Sequence, residues 1–359
     1  MIDLRSDTLT QPSPGMREAM AQAVVGDEQK REDPTVTALE ERAAELLGQE
    51  EAVYLPSATM GNQIALRLLS EPGDELIGTH DSHIFLHELG GPAVHSGLVM
   101  KPLSSAGGRF PPEEVRAAIN PPGDLHAAPT RVLTIENTHN GAGGRVWPLD
   151  EYRAVVSEAR AHGLAVHLDG ARLMNAAVAA GLSPSEWGRE ADTVTLCLSK
   201  GLGCPLGALI ATSRDRAGKA RRFKHLFGGA MRQAGIVAAA GIYGLDHNVE
   251  RLADDHANAR RLGEALADAG LPVDTERIET NFVQLDANAA GVDAGDLLKR
   301  FRAEGVLLSF ATAPNVLRAV THLDVSAEDI EEAIPALVRA YSGEGAPAAQ
   351  EAAEAPTPY

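Results

Sequence analysis

Short apolar runs alternate with helix-like patterns along most of this chain, from about residue 35 to residue 245. The strand-like runs lie at 52–55, 131–135, 164–169, 194–199 and 207–212, and the helix-like segments at 34–47, 57–69, 150–162 and an alanine-rich stretch that ends at 245. Strands that alternate with helices form a mostly parallel sheet, because each helix returns the chain to the same edge of the sheet. The sequence therefore predicts an α/β fold whose central sheet is covered by helices.

The pattern changes after residue 247. Helix-like segments at 249–269, 293–304 and 326–340 are mixed with strand-like runs at 281–285, 306–310 and 316–321. This mixture predicts a smaller α+β domain. The predicted division is an N-terminal segment 1–14, a large α/β domain 15–247, a small C-terminal α+β domain 248–341 and a tail 342–359. The tail is rich in alanine, proline and glutamate, and we expect it to be disordered.

Composition excludes several classes of partner. The formal charge of −18, from 50 acidic against 32 basic residues, argues against nucleic acid and against anionic membranes. No segment has the pattern of a signal peptide, and no apolar stretch is long enough to cross a bilayer. The only cysteines are Cys197 and Cys204, too few for a disulfide framework or a four-cysteine metal site. We therefore expect a cytoplasmic protein without a nucleic-acid or membrane partner, and the charge says little about its substrate.

Asp169 and Lys200 each close an apolar run and open a glycine-containing turn. In α/β sheets, ligands and reactive groups collect at the carboxyl ends of the strands. A lysine and a carboxylate at that edge suit pyridoxal phosphate (PLP), which needs a lysine for its Schiff base and an acid at its pyridine nitrogen. The alternatives are a surface lysine and an aspartate that caps the next helix. The run before Asp169 is too apolar to leave a carboxylate unpaired without a penalty.

Eight short motifs, in a fixed order, resemble one family. They lie at 26–28, 32–35, 56–59, 136–140, 167–172, 198–203, 228–233 and 321–324. Together they resemble the L-threonine aldolases, fold-type-I PLP enzymes of the β-eliminating lyase group, over nearly the whole chain. The resemblance implies an aspartate aminotransferase-like PLP-dependent fold. It also implies a lyase that cleaves L-threonine and L-allo-threonine to glycine and an aldehyde, as a homotetramer whose active sites are shared between subunits.

The resemblance assigns the cofactor phosphate to Ser57, Ala58 and Thr59, which precede an apolar helix. A helix N-terminus offers free N–H donors and positive dipole to a phosphate. The alternative is a segment that only caps the helix. The family usually has glycine at the position of Ala58, but a contact through backbone N–H survives that change.

Two histidines resemble active-site histidines of the family. His83 matches the one that stacks on the pyridine ring and faces the substrate hydroxyl, and its alternative is an ordinary core histidine. His126 matches a second one. The base that takes the β-hydroxyl proton is left open among His83, His126 and a bound water. His83 and His87 also have i,i+4 spacing, but a metal needs three or four ligands, so no metal is predicted.

A substrate carboxylate calls for the planar, permanently charged fork of arginine. By resemblance, Arg172 and Arg318 take this role and Ser6 adds a hydroxyl donor, while Arg172 also contacts the cofactor. The alternative for Arg318 is an edge-strand arginine that faces water. Arg232 resembles a phosphate or interface residue of the family, although alone its segment would be a loop followed by a helical turn.

The chain departs from the family pattern at Lys30 and Arg31, where the family usually has Tyr-Gly. This basic pair could favour an acidic substrate substituent or could point to solvent. The nearest alternative functions are a PLP-dependent β-eliminating lyase and an aldolase for a different β-hydroxy amino acid. A transaminase and a non-catalytic PLP-fold protein are more distant alternatives.

Overall fold

The computed structural model describes residues 1–105 and 107–343. Within these residues the strands are β1 (Ile2–Asp3), β2 (Glu51–Leu55), β3 (Glu75–Thr79), β4 (Val99–Leu103), β5 (Thr130–Glu136), β6 (Ala165–Asp169), β7 (Thr193–Cys197), β8 (Ala208–Thr212), β9 (Phe282–Asp286), β10 (Val306–Leu307), β11 (Ser309–Phe310) and β12 (Val316–Val320). A seven-stranded sheet has the order β2-β8-β7-β6-β5-β3-β4. Within this sheet β8 alone runs opposite in direction to the other six strands. The predicted mostly parallel sheet is confirmed.

Helices cover both faces of this sheet. In the described part of the chain they are α1 (Pro14–Ala21), α2 (Pro34–Leu47), α3 (Ala58–Leu69), α4 (His83–Leu86), α5 (Gly91–Ser96), α6 (Pro112–Ala118), α7 (Leu149–Ala161), α8 (Leu173–Ala180), α9 (Ser185–Gly188), α10 (Arg214–Leu226), α11 (Gly235–His247), α12 (Leu252–Asp268), α13 (Ala287–Ala290), α14 (Ala294–Ala303) and α15 (Ala327–Ser342). Successive side chains of a strand point to opposite faces. Accordingly, Tyr54 packs in one apolar cluster with Leu39 of α2, whereas Val53 and Leu55 pack in another with Ile64 of α3.

The ends of α2 show how local sequence sets an element. Asp33 caps its N-terminus, because the Asp33 carboxylate accepts from Thr35 N at 3.1 Å and from Val36 N at 3.0 Å. Pro34 occupies the first helical position, where its missing N–H removes no helical bond. Gly48 ends the helix with a positive φ of 66°, which glycine adopts without steric strain. The predicted helix 34–47 is therefore confirmed at both ends.

A second core lies beyond α11. β9, β11 and β12 form an antiparallel sheet in the order β11-β12-β9, and α12, α14 and α15 pack with it around Leu262, Leu317 and Leu337. The N-terminal segment joins this core, because β1 pairs in parallel with β10 and Leu4 is buried there. The predicted boundary at 247/248 falls between α11 and α12. The division into domains stays a prediction.

The structure corrects two smaller expectations. The strand predicted at 306–310 is two strands, because β10 pairs with β1 whereas β11 pairs with β12, and Leu308 between them is buried. Ser342 was expected to begin a disordered tail but is the last residue of α15. Residues 344–359 of that predicted tail lie outside the described residues. In the part of the chain that the structure describes, no helix is both long and apolar enough to span a bilayer.

Arg31 lies in the left-handed region, with φ 61°, at the end of a 3-10 helix over Glu28–Lys30. The steric contact of a Cβ atom makes this conformation unfavourable for any residue except glycine. We expect Arg31→Gly to raise the free energy of unfolding by roughly 0.5–1 kcal/mol, as measured by urea denaturation. Lys30→Gly is the matched control, since Lys30 is helical and glycine should destabilise it. A destabilised Arg31→Gly variant would mean that contacts of the arginine side chain outweigh the strain.

Candidate active site

The carboxyl ends of three adjacent parallel strands form one edge of the large sheet. β5 ends at Glu136, β6 ends at Asp169, and Lys200 follows β7 by three residues. Glu136 lies beside Asp169 in the register, and Asp169 lies beside Thr195. Gly170 allows the chain to turn here, because a Cβ atom at this position would be 2.8 Å from the carbonyl oxygen of Thr195. The structure thus brings Asp169 and Lys200 together at one edge, as the sequence predicts.

Lys200 is half-buried and lines a small cavity with Arg172, Asn175 and Cys197. Its side chain makes no hydrogen bond or ion pair with another described residue. Its positive charge is nevertheless close enough to help lower the pKa of Asp7. An amine that is not committed to a protein partner is suited to covalent attachment of a carbonyl compound.

Asp169 is 2% exposed and is held by two donors. Its Oδ2 accepts from Asn62 Nδ2 at 2.8 Å, and its Oδ1 accepts from Ala171 N at 3.1 Å. The second contact supports the turn after β6, so Asp169 has a structural role as well. No arginine or lysine pairs with this carboxylate within residues 1–105 and 107–343. A buried carboxylate without a fixed cation is suited to a protonated group on a ligand.

Asn62 belongs to a buried chain of polar groups that the sequence did not reveal. His167 Nδ1 lies 2.9 Å from Thr193 Oγ1, and its Nε2 lies 3.0 Å from Asn62 Oδ1. Burial lowers the pKa of His167 to about 4, so the imidazole is neutral at ordinary pH. The Asn62 amide then donates to Asp169 and, at 2.7 Å, to Glu88. Two adjacent amides, at 62 and 63, within the otherwise apolar α3 were the available sequence signal.

His83 begins α4 beside Asp169. Its backbone N–H donates to Glu136 Oε2 at 2.7 Å, and its Nδ1 lies 2.8 Å from Glu88 Oε1. Burial would lower the pKa of His83, but the hydrogen bond to Glu88 and the charges of Asp169, Glu88 and Glu136 raise it above its ordinary value. His83 therefore lies at the strand ends beside Asp169, where its side chain can accept or donate a proton of a bound ligand.

The ligand atoms of His83, Glu88 and Asp169 lie within 4.8 Å of one another, which is close enough to hold a metal ion. The same atoms already serve as hydrogen-bond partners. Glu88 Oε1 accepts from Asn62 Nδ2 and contacts His83 Nδ1, and Asp169 Oδ2 also accepts from Asn62 Nδ2. This arrangement is that of a hydrogen-bond network. That the protein uses no metal stays a prediction.

Arg172 is 6% exposed and makes a bidentate ion pair with Asp7, which is fully buried. Nε and Nη2 of Arg172 lie 2.7 Å from the two carboxylate oxygens of Asp7. Burial would raise the pKa of Asp7, but Arg172 outweighs it and lowers that pKa to about 2. Burial likewise opposes the charge of Arg172, whereas Asp7 raises the pKa of Arg172. Since Asp7 occupies two of its nitrogens and Nη1 makes only a long contact of 3.5 Å with Asn140 Oδ1, mainly Nη1 of Arg172 remains for a ligand.

Arg318 lies on β12, and its side chain turns toward the large domain. Its Nε donates to Ser309 Oγ at 3.0 Å and its Nη1 donates to Asn140 Oδ1 at 3.1 Å. Burial and the charge of Arg172 lower the pKa of Arg318 to about 10, which still leaves it cationic at neutral pH. No carboxylate pairs with it in the described residues. Asn140 N in turn donates to Glu136 Oε1 at 2.8 Å, so this half-buried guanidinium without a carboxylate partner lies near the ends of β5 and β6, where it is a site for a ligand carboxylate.

Ser6 precedes Asp7 and is half-buried. Its Oγ accepts from Thr8 N at 3.2 Å and from Thr8 Oγ1 at 2.8 Å. The carbonyl of the preceding residue, Arg5, accepts from Ser309 Oγ at 2.8 Å, so this segment is connected to Arg318 through Ser309. The N-terminal segment thus delivers both Ser6 and Asp7 to the site.

Ser57 is the N-cap of α3, and its Oγ accepts from Met60 N at 3.2 Å. Ala58 and Thr59 are the first helical residues, whose N–H groups have no partner within the helix. The segment at 228–233 approaches this turn, since a Cβ atom on Gly229 would be 2.4 Å from Met60 Sδ. Arg232, however, is exposed and donates to Asp27 at 2.9 Å. The turn at 57–59 can hold a phosphate, and the role of Arg232 there stays a prediction.

The structure does not bring His126 to this edge of the sheet within one chain. His126 is exposed in the connection between α6 and β5, where its N–H donates to Asp124 Oδ1 at 2.8 Å. That connection precedes the amino end of β5, whereas Glu136 and Asp169 lie at the carboxyl ends. The seven residues of β5 separate the two ends by about 20 Å. A role for His126 stays a prediction, and it requires a neighbouring chain.

The chain belongs to the β-eliminating lyase family, whose profile matches residues 3–289. It is 45% identical to the low specificity L-threonine aldolase of Escherichia coli (strain K12) over 336 residues, which are 92% of this chain and 97% of that protein. It is 33% identical to the low specificity L-threonine aldolase of Saccharomyces cerevisiae over 302 residues, covering 83% of this chain and 77% of that one. The resemblance seen in the motifs is confirmed.

Solved structures with the same fold include the threonine aldolase of Leishmania major, with a TM-score of 0.81 and 18% identity over 95% of this chain and all of that one. The serine palmitoyltransferase of Sphingomonas wittichii has a TM-score of 0.75 and 19% identity over 95% of this chain and 87% of that one. At these identities the likeness concerns the fold alone. The predicted fold class is confirmed.

Proposed function

We propose that the protein is a PLP-dependent aldehyde-lyase that cleaves L-threonine, L-allo-threonine and other β-hydroxy-α-amino acids to glycine and an aldehyde. One observation carries this proposal. An uncommitted lysine, a buried carboxylate without a cation and an unpaired arginine, namely Lys200, Asp169 and Arg318, meet at one edge of the sheet. They do so in a chain 45% identical to an L-threonine aldolase.

The residues present fit the proposed cofactor. Lys200 supplies an amine for its aldehyde, Asp169 a carboxylate for its protonated pyridine nitrogen, and the turn at 57–59 a helix N-terminus for its phosphate. The fit rests on the buried Asp169 carboxylate, which is 2% exposed and has no cationic partner among the described residues. When bound, PLP takes up the electron pair of the substrate bond that breaks.

The side chains of this chain orient the substrate and move its proton. Arg318, with Nη1 of Arg172, holds the substrate carboxylate and so fixes the direction of the Cα–Cβ bond, and such orientation is a large part of catalysis. His83 accepts the proton of the β-hydroxyl group as that bond breaks. Cβ leaves as the aldehyde, and Cα gains a proton to become glycine. His126 of a neighbouring chain and a bound water remain the alternative acceptors.

Arg318→Ala is expected to lower kcat/KM for L-threonine by roughly 100-fold, mainly through KM, because a charged hydrogen-bonding partner of the carboxylate is lost. Bound PLP, measured by its absorbance, should be unchanged. Arg318→Lys is the matched control, since it keeps the charge but loses the planar fork and should retain part of the affinity. An unchanged dependence of the rate on threonine concentration would remove Arg318 from the substrate site.

The decisive experiment incubates the purified, PLP-loaded protein with L-threonine and, separately, with L-allo-threonine. Acetaldehyde, glycine, ammonia and 2-oxobutanoate are quantified together. Equal amounts of glycine and acetaldehyde support the aldolase, and the ratio of the two rates gives the preference at Cβ. Ammonia with 2-oxobutanoate instead would assign the protein to the eliminating lyases.

We also infer a cytoplasmic homotetramer with shared active sites. Large apolar side chains lie exposed on the single chain, among them Leu89 at 94%, Val94 at 76% and Leu226 at 72%. A contiguous exposed apolar patch is typical of subunit contacts. The segments of Val94 and Leu226 are neighbours, since the rings of His95 and Phe227 have centroids 4.7 Å apart. His126 and Leu125 are exposed as well, which agrees with a role in a neighbouring site. Light scattering of the PLP-loaded protein should give four times the chain mass of 37.8 kDa, and a monomer would contradict the proposal.

A further inference from the structure

Glu88 is a buried carboxylate that the roles assigned so far do not use. It follows α4, and its side chain is fully buried. Asn62 Nδ2 donates to its Oε1 at 2.7 Å, Gln63 Nε2 donates to its Oε2, and His83 Nδ1 lies 2.8 Å from Oε1. No lysine or arginine pairs with it in the part of the chain that the structure describes. A buried carboxylate needs a reason, because its desolvation is costly when no fixed cation balances it.

We propose that Glu88 is a positioning residue that holds His83 with its proton on Nδ1 and so leaves Nε2 as the proton acceptor. This inference deepens the proposed function and rests on it, since there His83 takes the β-hydroxyl proton. Glu88 itself does not touch the substrate or the cofactor. It acts by fixing the tautomer and the ring orientation of His83.

The tautomer follows from what each partner can donate. A carboxylate only accepts hydrogen bonds, so the His83 nitrogen that contacts Glu88 must carry the hydrogen. In the neutral ring, the other nitrogen is then an acceptor. Nε2 of His83 has no hydrogen-bond partner among the described residues. It is therefore free to accept a proton from a ligand.

The orientation of Asn62 is fixed from the other side. Asn62 Oδ1 can only accept, so Nε2 of the neutral His167 carries the hydrogen and donates to it, and Nδ1 of His167 is left to accept from Thr193 Oγ1. The two hydrogens of Asn62 Nδ2 then reach Glu88 and Asp169. Since the amide cannot flip without losing these contacts, Glu88 is held as an acceptor.

The backbone of His83 is anchored independently of Glu88. Glu136 Oε2 accepts from His83 N at 2.7 Å and Glu136 Oε1 accepts from Asn140 N at 2.8 Å. Loss of the Glu88 carboxylate should therefore leave the position of α4 intact, while it releases the imidazole ring and removes one acceptor each from Asn62 and Gln63. This separates a positioning role of Glu88 from a role in holding the fold.

The groups that face His83 determine the pH at which its ring is protonated. Glu88, Glu136 and Asp169 are negative and favour the protonated ring, whereas burial and the His87 ring, whose centroid is 5.6 Å away, oppose it. Removal of the Glu88 charge lowers the pKa of His83. The acid limb of the kcat/KM profile should therefore move to lower pH when Glu88 is neutralised.

The test compares Glu88→Gln with the wild-type, full-length, PLP-loaded protein. ¹⁵N NMR of labelled imidazoles, with the His83 signal assigned from His83→Asn, reports the tautomer and its titration without needing turnover. We expect the wild-type ring to carry hydrogen on Nδ1. The variant should titrate at lower pH because the negative charge is lost, while the glutamine oxygen still accepts from Nδ1. We also expect kcat to fall about 10- to 100-fold, the range seen when an outer hydrogen-bond partner of a metal-bound histidine is removed, with KM little changed.

Two further variants separate positioning from packing. Gln63→Met removes another donor to Glu88 without touching His83 and should leave the His83 titration unchanged. Glu88→Asp restores the charge and should recover part of kcat, and it serves as the second test should Glu88→Gln not fold. Hydrogen on Nε2 in the wild-type ring, or an unaltered His83 titration in Glu88→Gln, would overturn the proposal. This result would stand whatever products the protein forms from threonine, so it is distinct from a failure of the proposed function.

Discussion

Lys200→Ala is expected to lose turnover of L-threonine by roughly 10³-fold or more, because no other group at the strand edge can replace the amine. Borohydride treatment of the PLP-loaded wild-type protein should fix the cofactor covalently to Lys200. The variant should yield no such adduct, although PLP can still bind through the turn at 57–59 and Asp169. The adduct is measured by mass spectrometry and the turnover by acetaldehyde release.

Lys219→Ala is the matched control for this experiment, since it removes an exposed lysine of α10. It should keep both activity and the borohydride adduct. An active Lys200→Ala variant that still forms the adduct would assign the covalent link to another lysine and would remove the main support for the proposed site.

Asp7→Ala is expected to lower the free energy of unfolding by about 3–5 kcal/mol at pH 7, because it leaves the buried Arg172 without its partner. Asp3→Ala is the matched control. Asp3 pairs with Arg5 at 2.6 Å at the surface, where such pairs contribute at most about 1 kcal/mol. Urea denaturation measures both. Similar losses in the two variants would contradict the assigned difference between a buried and an exposed pair.

The effect of Asp7 should also depend on pH. Its pKa is lowered to about 2 in the folded protein, from an ordinary value of 3.8. A lowered carboxyl pKa contributes stability above the unfolded value and loses it as the pH falls through the folded value. The difference in unfolding free energy between wild type and Asp7→Ala should therefore be constant above pH 4 and shrink between pH 4 and pH 2. A constant difference down to pH 2 would contradict the ion pair as its cause.

Local sequence patterns predicted the sheet and its reactive edge well. Asp169 and Lys200 each end an apolar run, and parallel strands bring such ends together whatever the rest of the chain does. The helix 34–47 was equally predictable, since a cap, a proline and a terminal glycine all mark it. The predicted strand 194–199 was too long, because pairing between β7 and β8 ends at Cys197. One further backbone hydrogen bond, from Leu198 N to the carbonyl oxygen of Gly207 at 3.0 Å, follows Cys197 before the chain turns away from β8.

The polar network behind the site was not predictable from such patterns. Asp7 meets Arg172 across 165 positions, and Asn62 meets Asp169 across 107. No periodicity records a contact between segments so far apart, because it arises from packing of the whole chain. Glu88 was missed for a similar reason. Its segment alone resembles a polar turn, and its contacts with α3 and His83 arise only in the folded chain. The family resemblance placed His126 in an active site, but it could not say in which chain of an assembly.

The strand β1 pairs with β10, and Ser309 donates to the carbonyl of Arg5 across 304 positions. Asp7, two residues after Arg5, pairs with Arg172, so the proposed substrate site depends on contacts between the first and last parts of the fold. Contacts between segments so distant in sequence form slowly, because the chain loses conformational entropy before the contact can stabilise the fold. During synthesis the large sheet can form early, but the pocket stays incomplete until residue 318 has emerged. On refolding, regain of activity should therefore lag behind regain of helical circular dichroism.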